Sequence, residues 1–310
     1  MLKTKQGRPQ KQMVKSNRGR RLFFMILPFM LLTFAFSYVP LFGWLYAFFD
    51  YKIGRSLFEC SFVGLEHFRE IISNPTEFLK VLRNTLVMSG LSLLVSPLPA
   101  LFAILLNELR GRRRKKAVQT LTTLPNFISW IIVYSLTFAI FSTDGMLSNL
   151  FRLFGLEGNS YNPLSDGEHV WLVQLLLHIW KSLGWNAIIY IAAISGIDQE
   201  LYDAADVDGA GKLQRILHIT IPGLTPTFFV LLLLAISNLL NNGFDQYFVF
   251  HNAIVADKIE VLDYYVYKIA ILTNQYSKSI AIGMAKSLIS ILLLFGANTL
   301  SKKVRGESIV

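Results

Sequence analysis

Residues 197–222 read IDQELYDAADVDGAGKLQRILHITIP, and they separate two long apolar runs, 170–194 and 222–240. Most of this stretch is too polar to lie in lipid, yet its residues are ordered by type. Asp198 suits a helix cap, and Glu200 in the first turn places negative charge at the positive end of the helix dipole. Gly209 or Gly211 can end that helix in a left-handed conformation. A second short helix is expected over 212–218, and Pro222 suits the first turn of the next apolar run. The pattern predicts a helix–turn–helix elbow between two membrane spans.

The flanking runs belong to a set of six, at about 22–49, 85–106, 121–141, 170–194, 222–240 and 280–300. Each approaches or exceeds the roughly 20 apolar residues that cross a bilayer. Charged residues make up 16% of the 310-residue chain and hydrophobic ones 53%, whereas a soluble domain carries about 25% charge. The expected fold class is therefore all-α: a polytopic membrane protein with one transmembrane domain over 22–301. Pro28, Pro40, Pro97, Pro99, Pro125 and Pro226 fall inside the runs and predict kinks. The first run outlasts the roughly 15-residue core of a signal peptide and no A-x-A site follows, so it reads as a retained span.

Net charge is +10, but the basic residues cluster beside apolar runs: Lys3 to Arg21, Arg110 to Lys116, and Lys302 to Arg305. A nucleic-acid face would interleave them with contact residues on a folded surface, so no nucleic-acid partner is expected. With the N-terminus inside, the cytoplasmic segments hold 19 Lys and Arg against 9 in the outer loops. That bias places the basic tail 1–21, the elbow and the tail 302–310 in the cytoplasm. The tail 1–21 is too polar to build a core. In the outer loops, Asn74-Pro75-Thr76-Glu77 reads as a helix start with Asn74 as cap, followed by a stripe of Phe78, Leu79 and Leu82. Val261, Leu262, Tyr265, Val266 and Ile269 form a second stripe, open to packing on the bundle or to docking a partner.

No chemistry-bearing constellation emerges. Cys60 is the lone cysteine, and the five histidines lack ligand spacing, so no metal is expected. Gly209-Ala210-Gly211-Lys212 imitates a phosphate loop, but Asp206 stands where its first glycine belongs and Leu213 where Ser or Thr belongs. The elbow's side chains instead suit docking. Ala204, Ala205 and Gly209 are small, Leu201 and Leu213 are apolar, and Asp203, Asp206 and Asp208 could meet basic groups. Physics alone leaves a docking surface and an ordinary capped connector equally open.

Resemblance adds to this. The elbow resembles the cytoplasmic-loop signature (EAA motif) of binding-protein-dependent ABC importer permeases, in which Glu-Ala-Ala precedes Gly by four residues and Ile-x-Leu-Pro follows after nine more. Here those positions hold Asp203-Ala204-Ala205, Gly209 and Ile219-Thr220-Ile221-Pro222. Asp203 stands in place of Glu, and Ile221 in place of Leu. The resemblance implies that Asp203, Ala204, Ala205, Asp208, Gly209, Ile219 and Pro222 couple this chain to a separate ATPase. It also implies a type I importer fold and, as partners, a second permease in a heterodimer, an ABC ATPase dimer holding ATP and magnesium, and an extracellular solute-binding protein. Its implied location is the bacterial cytoplasmic membrane.

Softer matches cover most of the chain. Ser37-Tyr38-Val39-Pro40, Asp50-Tyr51, Phe62-Val63-Gly64-Leu65-Glu66-His67-Phe68, Leu124-Pro125-Asn126-Phe127-Ile128-Ser129-Trp130, Trp180-Lys181-Ser182-Leu183-Gly184-Trp185-Asn186 and Phe244-Asp245-Gln246 are similar to sugar permeases of the maltose-permease-like superfamily, particularly those serving oligosaccharides from complex polysaccharides. Polar side chains framed by aromatic rings suit a sugar, and Trp180, Trp185, Asn186, Asn238, Asn241, Asn242, Phe244 and Gln246 are pathway candidates. Aromatic belts and interhelical amide bonds explain the same residues. Lys181 and Lys286 lie within spans, where a cation either faces a cavity or partner or snorkels to the interface. On the first reading, Lys181 would meet an acidic sugar.

Two other classes compete: an ABC permease for a non-sugar solute and an ion-coupled secondary transporter. The latter usually shows internal repeats and acidic residues deep in its spans, and neither is evident here. A membrane enzyme would need a catalytic constellation.

Overall fold

The structure, a computed structural model, describes residues 15–73, 75–154 and 162–305. Asn74, expected as a helix cap, lies outside the described residues, as do 1–14 and 306–310 of the two tails. Helix α1 (Lys15–Thr33) begins within the basic tail and continues through a π turn (Phe34–Tyr38) into a 3-10 stretch (Val39–Phe48). Pro40 sits at the start of that stretch, where its missing N–H forbids an ordinary helical bond. After α2 (Glu66–Ser73), helices α3 (Pro75–Leu94) and α4 (Leu98–Glu108) form one long span bent at Pro97, so the second span begins earlier than expected.

The third span departs further. The basic cluster is helical in α5 (Arg112–Thr123), a 3-10 turn (Leu124–Phe127) interrupts the chain, and α6 (Trp130–Phe141) and α7 (Met146–Leu153) follow. The run 121–141 is therefore not one helix. Pro125 lacks the donor that would continue α5, and Ser129 restarts the helix by accepting from the Ile132 N–H at 3.4 Å. Next come α8 (Val170–Ser195), α9 (Gln199–Val207), and α10 (Lys212–Arg215), which a π turn (Ile216–Thr220) joins to α11 (Ile221–Ser237). Short helices α12 (Asp245–Phe250), α13 (Ala256–Ile259) and α14 (Leu262–Tyr267) precede the last span, α15 (Tyr276–Arg305).

Among the described residues, six stretches are long and apolar enough to cross a membrane: Gly19–Phe48, Pro75–Glu108, Trp130–Leu153, Val170–Ser195, Lys212–Ser237 and Tyr276–Lys303. Among the described residues the only strand-like feature is a single bridge between Phe49 and Phe62. The first span keeps most of its apolar side chains uncovered, with Phe24 67% and Phe36 77% exposed, while Ala47 near its end is buried. Such a surface requires lipid or another subunit against it.

One core cluster joins α3, α6, α8 and the short helices through Met88, Val133, Leu175, Tyr247, Phe250 and Tyr264. A second joins α4, α8 and α11 near the elbow through Ala103, Ile104, Ala187, Tyr190 and Leu224. The stripe Val261, Leu262, Tyr265 and Ile269 is buried, and three of these four pack with Val81 and Ile282, so the stripe belongs to the bundle. Trp171 fastens the end opposite the elbow: it lies 5.7 Å below the Arg83 guanidinium, 5.4 Å from the Lys258 ammonium, and donates to the Lys258 carbonyl at 2.8 Å. Nearby, the Lys80 hydrogen bond at 2.7 Å holds the Asp257 carboxyl below the usual carboxylate range.

Candidate functional site

The elbow forms as its local residues dictate. The Asp198 carboxylate accepts from the Glu200 N–H at 3.0 Å and opens α9. The helix closes at Gly209, whose φ of +72° is the left-handed region that a side chain disfavours. The Ala210 N–H reaches back to the Ala205 carbonyl at 2.8 Å and the Gly209 N–H to the Asp206 carbonyl at 3.2 Å, the paired bonds of a Schellman end. Gly211 instead begins α10, its N–H donating to Gln214 Oε1 at 2.8 Å. The second helix does not stop near His218 but runs on into the fifth span.

Four contacts brace the elbow. Arg215 pairs with Asp206, so the Asp206 carboxylate is engaged within the chain. Tyr202 Oη and Thr220 Oγ1 are 3.0 Å apart, and Lys212 reaches Glu108 at the end of α4 at 3.4 Å. At Gly223 an added Cβ would meet Ile197 Cδ1 at 2.6 Å, so the elbow's first residue packs directly on the fifth span.

Around that brace, Asp203, Ala204, Asp208, Gly209 and Pro222 are exposed, while Ala205 and Ile219 are half-buried. Nothing lies within 4 Å of a Cβ built on Gly209. Leu201 is 54% exposed, Leu213 68% and Val207 89%. Sequence reasoning passes over Val207, though an apolar residue one step before a helix cap between Asp206 and Asp208 is a visible signal. A rigid, acidic and partly apolar ridge can dock a partner. It holds no group arranged for bond-breaking chemistry.

The pathway candidates divide. Asn186 lines a cleft of about 290 Å³ between α3, α4, α8 and α11, with His178, Ser182 and Tyr190 beside it. Trp185, half-exposed, meets Phe127 edge-on at 5.7 Å, and Trp180 is also half-exposed. Asn238 and Asn241 cap the end of α11: Asn238 Nδ2 donates to the Leu234 carbonyl at 2.9 Å and Asn241 N to the Asn238 carbonyl at 2.8 Å. Asn242 donates from Nδ2 to Ser89 Oγ at 2.9 Å. Phe244 stacks on Phe248 at 4.9 Å and tilts against Tyr267 at 4.8 Å. Gln246 is buried, and its amide donates to Gln174 at 2.9 and 2.8 Å.

The ammonium of Lys181 is turned onto backbone carbonyls of the third span. It donates to the carbonyls of Pro125 at 3.0 Å, Asn126 at 2.9 Å, and Ile128, the groups left open by the break in the third span. It also lies 5.5 Å from the Trp130 ring. These contacts engage the donors of Lys181 within the chain. Lys286 pairs with Asp263, a residue from the loop side that a span-by-span reading cannot supply.

Comparison with known proteins agrees with this architecture. Residues 96–306 match the model of the binding-protein-dependent transport system inner membrane component. The chain is 38% identical to protein LplB of Bacillus subtilis (strain 168), over 96% of this chain and 93% of that protein. It is 39% identical to the polygalacturonan/rhamnogalacturonan transport system permease protein YteP of the same organism, over 98% and 95%. Among solved structures, a bacterial ABC transporter that imports the acidic polysaccharide alginate superposes with a TM-score of 0.82 at 31% identity, covering 93% of this chain and 97% of that one. The alginate transporter bound to a periplasmic protein carrying an alginate pentasaccharide gives 0.83 at 30% identity, over 94% and 98%. The six spans, the capped elbow and these matches identify the chain as a multi-pass permease, a member of the family of inner membrane components of binding-protein-dependent ABC importers.

Proposed function

We propose that this permease forms half of a translocation pathway for an oligosaccharide handed over by an extracellular solute-binding protein. A second permease supplies the other half, and a separate ATPase dimer, with ATP and magnesium, drives the cycle. Both termini and the elbow face the cytoplasm, in keeping with the 19-to-9 distribution of Lys and Arg. The observation that carries the reading is the elbow: a braced helix pair whose exposed Asp203, Ala204, Asp208 and Gly209 stand clear of the bundle. Ala205, Ile219 and Pro222 complete the coupling set.

A uronic-acid oligosaccharide is the favoured solute class, supported by the likeness to permeases for polygalacturonan and alginate. Asn186 in its cleft and Asn241, Asn242 and Phe244 at the end of the fifth span are the groups assigned to contact it. The test is reconstitution of the whole importer in liposomes with its binding protein and labelled oligogalacturonide. ATP-dependent accumulation is expected. Accumulation of neutral oligosaccharides alone would reject the acidic solute, and solute entry by the lone chain without ATP would reject the coupled reading.

A further inference from the structure

Three donors from two separate elements converge on one carboxylate at the end of the fifth span. Asp263 lies in the first turn of α14 and is largely covered, as is Lys286 on α15, with side-chain exposures of 20% and 13%. One carboxylate oxygen of Asp263 takes the Lys286 ammonium. The other accepts the backbone N–H of Asn242 at 2.9 Å and of Gly243 at 3.1 Å. Those two amides belong to the segment between α11 and α12, where the chain leaves helical geometry and Gly243 takes a φ of +87°. Adjacent N–H groups that point to one side are an anion-binding arrangement, and here the anion comes from the protein itself.

The position of Asp263 is fixed independently of that segment. The neighbouring Leu262 N–H donates to Thr85 Oγ1 at 2.8 Å, and Thr85 in turn donates to the Val81 carbonyl within α3. Lys286 stands ten residues into α15, roughly 15 Å along the helix, a depth at which an unpaired ammonium is strongly disfavoured. Segment 238–244 is held by turn bonds and by Ser89 on α3, whose hydroxyl donates to the Leu239 carbonyl and accepts from Asn242 Nδ2, while the charge pair from α14 and the last span fixes the amides of Asn242 and Gly243. Losing either charge leaves the other unpaired in a low-dielectric site, whereas losing both leaves none.

We propose that Lys286, acting through Asp263, is a positioning residue for the solute pathway: the pair sets the backbone that presents Asn241, Asn242 and Phe244. This rests on the reading that these three residues face the solute. The test uses the complete importer purified in detergent, with Cys60→Ser and Asn241→Cys introduced so that a water-soluble maleimide reports on the segment. Lys286→Met should change the labelling rate of Asn241→Cys at least ~5-fold, as expected when a local structure opens. Lys286→Arg should keep the original rate, and the double variant Lys286→Met/Asp263→Asn should lie nearer the original than either single change. In liposomes, with the native Asn241 restored, Lys286→Met should raise the half-saturating concentration of binding-protein-loaded oligogalacturonide while the importer still assembles.

Unchanged labelling in Lys286→Met would overturn the clamp itself. Altered labelling with unchanged uptake would overturn its role in transport and remove the segment from the pathway. If Lys286→Met does not assemble, the double variant decides: assembly with near-original labelling supports the pair, and a defect equal to the single variant's contradicts it.

Discussion

The ammonium of Lys181 lies 3.0 Å from the carbonyl oxygen of Pro125, fifty-six residues away in sequence. That contact joins the middle of the fourth span to the break in the third. It explains two features that look unrelated along the chain, a proline in an apolar run and a cation in another. The broken helix exposes carbonyls that have no water to satisfy them, and the lysine supplies the donors.

Replacing Lys181 with Met therefore removes donors from three carbonyls at once, the buried one of Pro125 and the part-buried ones of Asn126 and Ile128. Each orphaned acceptor costs about 1–3 kcal/mol, moderated where the backbone relaxes, so a net loss of about 3 kcal/mol is expected. Thermal unfolding in detergent should show a clear drop, and Lys181→Arg should recover part of it. Uptake of acidic and neutral solutes should fall in parallel. A selective loss for acidic solutes would return Lys181 to the pathway.

One turn along from Lys181, Gly184 lets the fourth span press against the end of α5. An added Cβ would run into the Thr122 carbonyl and lie 2.7 Å from the Thr123 nitrogen, all backbone atoms that cannot swing aside. Gly184→Ala should destabilise by about 1–3 kcal/mol through overpacking. Gly283 in the last span has nothing within 4 Å of such an atom, and its alanine variant should be neutral or slightly stabilising. Equal melting temperatures for the two variants would contradict the close crossing.

Much of this fold could be read in the sequence, and the misses share a physical cause. The fourth span, expected over 170–194, runs Val170–Ser195 because an unbroken apolar run needs no partner to be recognised. The first half of the elbow is equally legible, since Asp198 and Gly209 act through local backbone geometry, whereas the continuous helix Lys212–Ser237 carries past Pro222, where the sequence suggests a new start. Pro125 signals a kink in the sequence, but a full break of the span there is not legible, because hydropathy counts apolar residues and not hydrogen bonds. The sequence leaves Lys181 and Lys286 open between a cavity or partner and the interface for the same reason: the carbonyls of 125–128 and the Asp263 carboxylate are distant in sequence and meet them only in the folded chain.

Val207 supplies a prediction about the elbow's surface. Its side chain is 89% exposed and touches little of its own chain, so Val207→Asp should change stability by no more than about 0.5 kcal/mol. As part of a docking ridge, the same change should weaken capture of the ATPase roughly 10-fold or more. Pull-down of the ATPase by the purified permease pair reads this directly, and undiminished capture would move the contact elsewhere on the ridge.

On the proposed coupling the elbow transmits ATP hydrolysis to the spans, and Gly209 is the position whose replacement shows it. A bulky residue there has empty space beside it but must hold a left-handed backbone, at a cost of about 1–3 kcal/mol. Gly209→Asn, which tolerates that backbone, should separate strain from bulk. The measurement is solute accumulated per ATP hydrolysed by the reconstituted importer. Gly209→Trp should insert and assemble with the second permease yet lose at least about 10-fold in that ratio, with Gly209→Asn retaining most of it. An unchanged ratio in Gly209→Trp would contradict the coupling role.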